Sequence, residues 1–238
     1  MENNIKEFKK IIKEIEKTNI DKIEYLEHSL IPSLGLNNEN LNEQPHELSN
    51  YFGGGLGLKI WQYPNQFSKY LALLSQFKGS INSYLEIGCR NGGTFALTCE
   101  YLSPLKNAVA VDIIDESETV KEYRKQTEFV SYKKINSQSQ EFLEFINQNF
   151  FDLIFIDGDH SYSGVKNDAE ITRNKCNIQV FHDISSDVCP GVYSYWKEIK
   201  SSYKNLYNFY EFIDQYDSVK GNFLGIGVAV RKNWIKNN

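Results

Sequence analysis

Short apolar runs alternate with amphipathic stretches along the chain from residue 60 onward. Five runs have the length and composition of buried strands, at 82–87, 107–112, 129–134, 151–157 and 178–183. The stretches that precede or separate them have helical spacing, near 64–77, 92–102, 117–126, 138–148 and 162–174. This alternation predicts a doubly wound sheet of parallel strands with helices on both faces.

The last part of the pattern departs from this alternation. A helix predicted at 191–200 precedes two strand-like runs, 206–212 and 222–231, which the turn-prone residues 214–221 join. Two strands connected in this way pair antiparallel. The predicted fold is therefore α/β: a doubly wound, seven-stranded sheet that is mostly parallel, with an antiparallel C-terminal hairpin.

The beginning of the chain has a different character. Apolar residues within 2–28 recur largely at helical spacing among Lys and Glu, which predicts an N-terminal helical extension, formed by one amphipathic helix or a helix pair. Such helices bury their apolar face on the main domain or on a second copy of the chain. A homodimer is therefore one of the two expectations.

Residues 29–58 are rich in Asn, Pro and Gly and include a glycine triplet at 53–55. This composition predicts a long irregular segment, which is either a lid over a site or a plain linker. We therefore divide the chain into an extension with a glycine-rich lid segment, 1–58, and a main domain, 59–238.

Composition narrows the class of protein. Of the 238 residues, 41% are hydrophobic and 14% aromatic, which is typical of an ordered globular protein, and a formal net charge of -5 argues against nucleic acid as the partner. The four cysteines lack the spacing of a zinc knuckle, and scattered reduced thiols fit the cytoplasm. The chain has neither an apolar run of membrane-spanning length nor a signal peptide, so we expect a soluble, cytoplasmic protein without a membrane partner.

The most informative segment runs from Tyr84 to Thr94, where a buried strand leads through a glycine turn into a helix. Such a turn brings backbone N–H groups close to a nucleotide-like ligand. Glu86, two positions before the first glycine, repels phosphate and attracts a cation, so a ligand with an amino or sulfonium group fits better than a pyrophosphate. The residues assigned to this ligand are Glu86, Gly88, Arg90, Asn91, Gly92, Gly93 and Thr94.

The ends of the next two predicted strands are polar as well. Asp112, followed by Ile113, is placed to accept both hydroxyls of a ribose, or else it caps the following helix. Asn136 and Ser137 either hydrogen-bond an adenine edge or serve as an ordinary helix N-cap.

The fourth and fifth strand ends are dense in groups that bind protons or metal ions. Asp157, Asp159 and His160 follow one strand, and His182 and Asp183 end the next. Because ligands bind beyond the carboxyl ends of parallel strands, these side chains are candidates for catalysis. The alternative is a turn and a helix cap.

Two other predictions concern neighbouring segments. Asp168 is predicted to lie on a solvated helix face, and Trp61 either lines the ligand pocket or packs in the protein interior.

Residues 80–232 resemble the class I S-adenosylmethionine-dependent methyltransferases. The glycine turn is similar to their first motif, Asp112 to their ribose-binding acid, and the terminal hairpin to their reversed last strand. The resemblance implies a Rossmann-like fold and S-adenosyl-L-methionine as cofactor, with the residues above and Asp157 in its binding site. The polar strand ends resemble the branch of macrolide-sugar O-methyltransferases and cephalosporin hydroxylase-type proteins, and more distantly the catechol and caffeoyl-CoA O-methyltransferases.

These relatives place carboxylates around a divalent cation such as Mg²⁺, which here implies Asp157 or Asp159 together with Asp183. The sequence departs from the catechol enzymes, because His182 precedes Asp183 and Ile184 follows it where those enzymes carry Asp-Asn. The catalytic residues implied are Asp159 and His160 near the transferred proton, Asp183 as cation ligand or orienting group, and His182 beside it.

The expected activity is methyl transfer to a hydroxyl of a small hydrophilic acceptor, a sugar or nucleotide-linked sugar used in surface glycan biosynthesis. Two alternatives stay open: an N-methyltransferase of a small metabolite, and a cofactor-binding relative without catalysis. A dehydrogenase is disfavoured by Glu86 and by the glycine spacing.

Overall fold

A computed structural model describes residues 1–15, 22–38 and 44–235. Its centre is a seven-stranded sheet with the strand order β3-β2-β1-β4-β5-β7-β6. The strands are β1 Ser83–Ile87, β2 Asn107–Asp112, β3 Val130–Lys134, β4 Phe151–Ile156, β5 Cys176–Phe181, β6 Tyr207–Phe212 and β7 Ile226–Arg231. Strands β1 to β5 pair in parallel, and β7 pairs antiparallel with both β5 and β6. The predicted fold class is confirmed.

Helices cover both faces of this sheet. They are α4 Pro64–Ser75, α5 Gly93–Leu102, α6 Glu118–Lys125, α7 Gln140–Asn147, α8 Tyr162–Thr172, α9 Pro190–Ser202 and α10 Lys232–Ile235. Strands β1 and β4 are neighbours, but the chain continues from them to opposite sides of the sheet. A crevice therefore opens at their carboxyl ends. In the described part of the chain, no helix combines the length and apolar character needed to cross a membrane.

Two strand boundaries differ from the prediction in ways that affect the site. Strand β5 ends at Phe181, so His182 and Asp183 leave the sheet instead of ending it. Strand β7 begins at Ile226 and not at 222, because Leu224 and Gly225 have φ angles of 57° and 98° and break the extended backbone.

The N-terminal helix α1, Glu2–Ile15, packs on the main domain. It buries four apolar side chains, those of Ile5, Phe8, Ile12 and Ile15. The ring of Phe8 lies 6.4 Å from that of Tyr123 in α6, and Lys9 Nζ lies 3.2 Å from a carboxylate oxygen of Glu100 in α5. The structure thus shows α1 packed on its own chain. Residues 16–21 of the predicted helical region lie outside the described residues.

Within the predicted irregular segment 29–58, residues 39–43 lie outside the described residues, and the others are more regular than predicted. A continuous helical segment runs through α2 Lys22–Tyr25, a π-helical turn Leu26–Leu30 and α3 Ile31–Leu34. It forms because its apolar side chains are buried, those of Leu26, Leu30, Ile31 and Leu34. A 3₁₀ helix, His46–Tyr51, follows later in the segment.

The glycine triplet lies against the end of this helical segment. The Leu56 N–H donates to the Ser33 carbonyl at 3.1 Å, and the Ile60 N–H donates to the Gly35 carbonyl at 2.9 Å. The turn at 53–57 is therefore held by backbone hydrogen bonds. The domain boundary at residue 58 and the role of this segment as a lid stay predictions.

Candidate functional site

A cavity of about 880 Å³ lies at the carboxyl ends of the parallel strands, in the crevice beside β1 and β4. Its volume is within the range of about 300–1,000 Å³ typical of small-molecule sites. All the residues predicted for the cofactor, the cation and catalysis line this cavity. Their individual roles stay predictions, but the topology brings all of them to one place.

The glycine turn forms the floor of the cavity. Helix α5 begins at Gly93, and its first N–H groups face the ligand space beyond β1. Gly88 has a φ angle of 88°, and a Cβ atom added there would lie 2.0 Å from the Asp157 carbonyl oxygen. Only glycine fits this contact, which places the ends of β1 and β4 directly against each other.

Glu86 lies under the turn and is 2% exposed. Its carboxyl group accepts a hydrogen bond from the Tyr84 hydroxyl. Burial raises the pKa of Glu86 well above its usual range, more than the hydrogen bond from Tyr84 lowers it. A cationic group bound in the cavity would favour the ionised form of this carboxyl.

Asp112 is oriented by the backbone of the turn. Its Oδ2 atom accepts from the Arg90 N–H at 2.7 Å, and its Oδ1 atom accepts from the Ile113 N–H at 2.7 Å. Helix α6 is capped by Ser117, whose hydroxyl accepts from the Val120 N–H at 3.2 Å. The alternative that Asp112 caps this helix is therefore wrong.

Asn136 and Ser137 lie on the same rim of the cavity as Asp112. They do not cap helix α7, because its N-cap is Ser139. Asn136 Oδ1 accepts from the Gln138 N–H at 2.9 Å, which fixes a tight turn and leaves the side chain exposed at the cavity. The helix-cap alternative is wrong for both residues.

Asp168 lies beneath this turn and contradicts the sequence prediction of a solvated position. It is 0% exposed, and its carboxyl oxygens lie 3.2 Å from Ser137 Oγ and 3.0 Å from Gln138 Nε2. Burial raises the pKa of Asp168 to about 6, although the hydrogen bond from Ser137 lowers it. Helical periodicity could not reveal this contact, because the partners come from a different loop.

The residues after β4 and β5 form a compact network. Asp157 Oδ1 lies 3.2 Å from His160 Nε2 and 3.1 Å from His182 Nδ1, and Asp183 Oδ2 lies 3.4 Å from the Nδ1 atom of each imidazole. Asp183 is buried and has a φ angle of 60°, a rare backbone conformation that turns its carboxylate into the network.

Charge pairing dominates the proton equilibria of this network. Hydrogen bonds to Asp157 and Cys189 raise the pKa of His160 to about 11. Burial alone would lower the pKa of His182, but Asp157 and Asp183 raise it to about 10. Burial would likewise raise the pKa of Asp157, but the two imidazoles lower it to about 2. Without a cation, both imidazoles are therefore protonated at neutral pH.

Asp159 stands apart from this network. Its Oδ1 atom accepts from the Ser161 N–H at 2.9 Å at the start of helix α8, and Ser161 itself caps that helix. Asp159 still lines the cavity. The structure thus brings together Asp157, His160, His182 and Asp183, but not the fifth predicted side chain.

Two further side chains lie at the site: Trp61, for which the sequence left two roles open, and Cys189, for which it predicted no role. Trp61 lines the cavity, and the guanidinium of Arg90 lies 4.5 Å from its ring centre. Cys189 Sγ lies 3.3 Å from His160 Nδ1 and 3.4 Å from Asp183 Oδ2. The only sequence signal for Cys189 was its position, six residues after a catalytic candidate.

A divalent cation fits the donor atoms of this network. Within the described residues, two groups hold their donors within 4.8 Å of one another: Asp157, His182 and Asp183, and His160, Asp183 and Cys189. Of the cation ligands implied by the resemblance, Asp157 and Asp183 lie together in one of these groups and Asp159 lies in neither. Their role as ligands stays a prediction.

Residues 85–184 match the family described as a methyltransferase domain. Over this segment the chain is similar to a methyltransferase domain. The match begins in β1 and ends just after β5, so it spans the glycine turn and both polar strand ends. No curated protein matches the chain in sequence.

Solved structures share the fold of this chain. The O-methyltransferase TomG from Streptomyces achromogenes, involved in tomaymycin synthesis and in complex with SAM, superposes with a TM-score of 0.57 at 14% identity, over 89% of this chain and 99% of that one. An O-methyltransferase from Bacillus cereus in complex with SAH superposes with a TM-score of 0.51 at 17% identity. This match covers 95% of this chain and 100% of that one. MycE from the mycinamycin biosynthetic pathway, in complex with Mg and SAH, superposes with a TM-score of 0.51 at 14% identity. This match covers 72% of this chain and 48% of that one.

Proposed function

We propose that the methyltransferase domain transfers a methyl group from S-adenosyl-L-methionine to a hydroxyl of a small hydrophilic acceptor, a sugar or nucleotide-linked sugar used in surface glycan biosynthesis. The observation that carries the proposal is the single cavity, which joins a glycine turn with Asp112 on one side to the His–Asp network on the other. A donor and an acceptor bound in these two parts would meet in the middle.

The donor is supported by three features of the cavity. The N–H groups at the start of α5 suit the part of a nucleoside ligand that lies against the glycine turn. The carboxylate of Asp112 suits its ribose. Asn136 presents polar atoms where an adenine would lie next to Ile113. The buried carboxyl of Glu86 suits a cationic methionine end, and the neighbours TomG and the Bacillus cereus enzyme are described with SAM and SAH.

The acceptor is supported by the chemistry of the opposite rim. Transfer from a sulfonium to oxygen is an in-line displacement, so the protein must align the two ligands and remove the hydroxyl proton. His160 is the more exposed imidazole, with a side chain 41% exposed against 4% for His182, so it can exchange a proton with solvent. Asp157 and Asp183 hold both imidazoles in place.

A bound divalent cation would supply Lewis-acid assistance by lowering the pKa of an acceptor hydroxyl. The residues that would hold it are Asp157, Asp183 and their imidazole neighbours. A sugar offers adjacent hydroxyls for such polar groups, and the indole of Trp61 offers an aromatic face for its ring.

Calorimetric titration with S-adenosylmethionine and S-adenosylhomocysteine tests the donor. A folded sample that gives no heat of binding with either ligand would overturn it. Transfer of a labelled methyl group to nucleotide-sugars, free sugars, catechols and small amines, each with and without chelator, tests the acceptor. We expect label in the sugar arm, whereas label confined to the amine arm, insensitive to chelator, would replace the proposal with N-methylation.

A further inference from the structure

Three donor atoms at the acceptor end of the cavity form a nearly equilateral triangle. His160 Nδ1 lies 3.4 Å from Asp183 Oδ2, Cys189 Sγ lies 3.3 Å from His160 Nδ1, and Cys189 Sγ lies 3.4 Å from Asp183 Oδ2. All three residues line the cavity, and two of them, Asp183 and Cys189, are buried. Three donors spaced in this way can form one face of a coordination polyhedron.

The lengths of its edges can be compared with those around bound cations. A tetrahedral ion with bonds of about 2.0 Å to nitrogen and oxygen and about 2.3 Å to sulfur has donor–donor edges of about 3.3–3.6 Å. An octahedral Mg²⁺ with bonds of about 2.1 Å has edges of about 3.0 Å. The observed edges of 3.3–3.4 Å lie at the lower end of the tetrahedral range.

The donor types agree with the edge lengths. Thiolate and imidazole are ligands of borderline and soft cations, whereas Mg²⁺ takes carboxylate, carbonyl and water oxygens. One thiol, one imidazole and one carboxylate, together with an open fourth position, are the composition of a tetrahedral zinc site that binds a further ligand.

We propose that His160, Asp183 and Cys189 bind a Zn²⁺-type transition cation, whose fourth position faces the cavity. The ion differs in class from the Mg²⁺ that the sequence resemblance implies, and Cys189 is a ligand that the resemblance does not include. The metal site stands by itself; its part in activating an acceptor hydroxyl rests on the proposed function.

The surroundings of His160 provide the support that a metal-bound imidazole requires. With Nδ1 in the triangle, its Nε2 atom lies 3.2 Å from Asp157 Oδ1 and can donate to it. A carboxylate behind the ligand fixes the tautomer and raises the basicity of the imidazole. His182 Nδ1 lies 3.4 Å from the same Asp183 Oδ2 atom and can donate to it.

The backbone explains why the three donors meet. Asp183 follows β5, His160 lies in the loop after β4, and Cys189 immediately precedes helix α9. A Cβ atom at Gly191 would lie 2.6 Å from the His160 carbonyl oxygen and 2.3 Å from the Tyr162 nitrogen. The glycine lets the start of α9 pack directly on the His160 loop, which brings the thiol to the imidazole.

Cobalt spectroscopy tests the site in the full chain after removal of bound metal with chelator and gel filtration. Co²⁺ should produce intense visible bands of tetrahedral geometry and a near-ultraviolet thiolate-to-cobalt band. Zn²⁺ should bleach both at equal concentration, whereas Mg²⁺ should not. Weak octahedral bands without the thiolate band, or displacement of Co²⁺ by equal Mg²⁺, would overturn the proposal.

Variants assign the ligands. Cys189→Ser should lose the thiolate band and weaken Zn²⁺ binding by about tenfold or more, and Asp157→Asn should keep the band but weaken binding by about tenfold through the lost support of His160. Cys176→Ser is the matched control, because its thiol is also buried and donates to the Thr172 carbonyl, as a hydroxyl can. A thiolate band that persists in folded Cys189→Ser, checked by circular dichroism, contradicts the assignment.

Calorimetry with S-adenosylhomocysteine separates this inference from the proposed function. If S-adenosylhomocysteine binds with measurable heat but Co²⁺ gives no thiolate band, the proposed metal site is wrong and the assignment of the methyl donor stands. If Co²⁺ gives the thiolate band but S-adenosylhomocysteine gives no heat of binding, the proposed function is wrong and the metal site stands.

Discussion

The two ends of the cavity are built in different ways. The donor end, which comprises the turn 86–94, Asp112 and the turn 136–137, is shaped by backbone and by hydrogen bonds between near neighbours in the first half of the sheet. The acceptor end, which comprises Asp157, His160, His182, Asp183 and Cys189, is made almost wholly of side chains from three separate segments. Under the proposed function, cofactor binding is assigned to the first end and proton chemistry to the second.

This division predicts that substitutions at the two ends affect different measurements. Changes at the acceptor end should alter turnover with little change in cofactor affinity. Changes at the donor end should alter cofactor affinity. A substitution that moves both quantities equally would contradict the division.

The largest effect is expected for His160→Ala. Removal of this imidazole should lower kcat by about 10²–10⁴-fold, because it takes away either a proton-transfer group or a ligand of the activating cation, while the Kd for S-adenosylhomocysteine changes less than about twofold. Steady-state kinetics and calorimetry measure the two quantities. His28→Ala is the control, because its side chain is exposed and lies outside the cavity. Loss of S-adenosylhomocysteine binding in His160→Ala would contradict the assignment of catalysis and cofactor binding to different ends of the cavity.

Asp112→Ala should produce the complementary result. The carboxylate loses charge-assisted hydrogen bonds to a ribose, so the Kd for S-adenosylhomocysteine should rise by about 10–100-fold. Asp115→Ala is the control, since that carboxylate is 92% exposed and pairs with Lys134 on the surface. An unchanged Kd in Asp112→Ala would show that the ribose lies elsewhere.

Asp168 sharpens the comparison, because it is a buried acid beneath the donor end. Its pKa is raised to about 6, so the folded state favours the protonated carboxyl; the associated stability is complete below the ordinary pKa of 3.8 and is lost as the pH rises through 6. Asp168→Asn imitates the neutral form. It should increase the free energy of unfolding by about 3 kcal/mol at pH 8 and leave it unchanged near pH 3.

Urea unfolding at both pH values measures this difference. Asp187→Asn serves as a carboxylate control, since its oxygens accept from Asn222 in an exposed loop contact. A stabilisation by Asp168→Asn that is equal at both pH values would mean that ionisation is not its cause.

The smallest effect is expected for Asn136→Ala. The side chain is exposed, so the loss of one neutral hydrogen bond to the adenine should raise the Kd for S-adenosylhomocysteine by about two- to fivefold. Calorimetry against wild type resolves this change. An effect as large as that of Asp112→Ala would show that the rim at 136–137 contributes more than a single contact.

The sequence alone predicted the sheet, its reversed last strands and the donor end, because these follow from local periodicity and from glycine spacing. Its errors concern contacts between distant segments. The burial of Asp168 depends on the loop at 136–138, the separation of Asp159 depends on the N-terminus of α8, and the proximity of Cys189 to His160 depends on packing at Gly191. Periodicity within one element does not encode these approaches.

The packing of α1 on α5 and α6 affects where the chain can be shortened. Ile5, Phe8, Ile12 and Ile15 belong to the same continuous core as the sheet residue Tyr84 and the helix residue Phe95. A protein shortened to begin at residue 59 would lose these side chains, uncover the apolar surface of α5 and α6 on which they pack, and leave Glu100 without its contact to Lys9. For expression, the N-terminal helix is thus part of the folding unit.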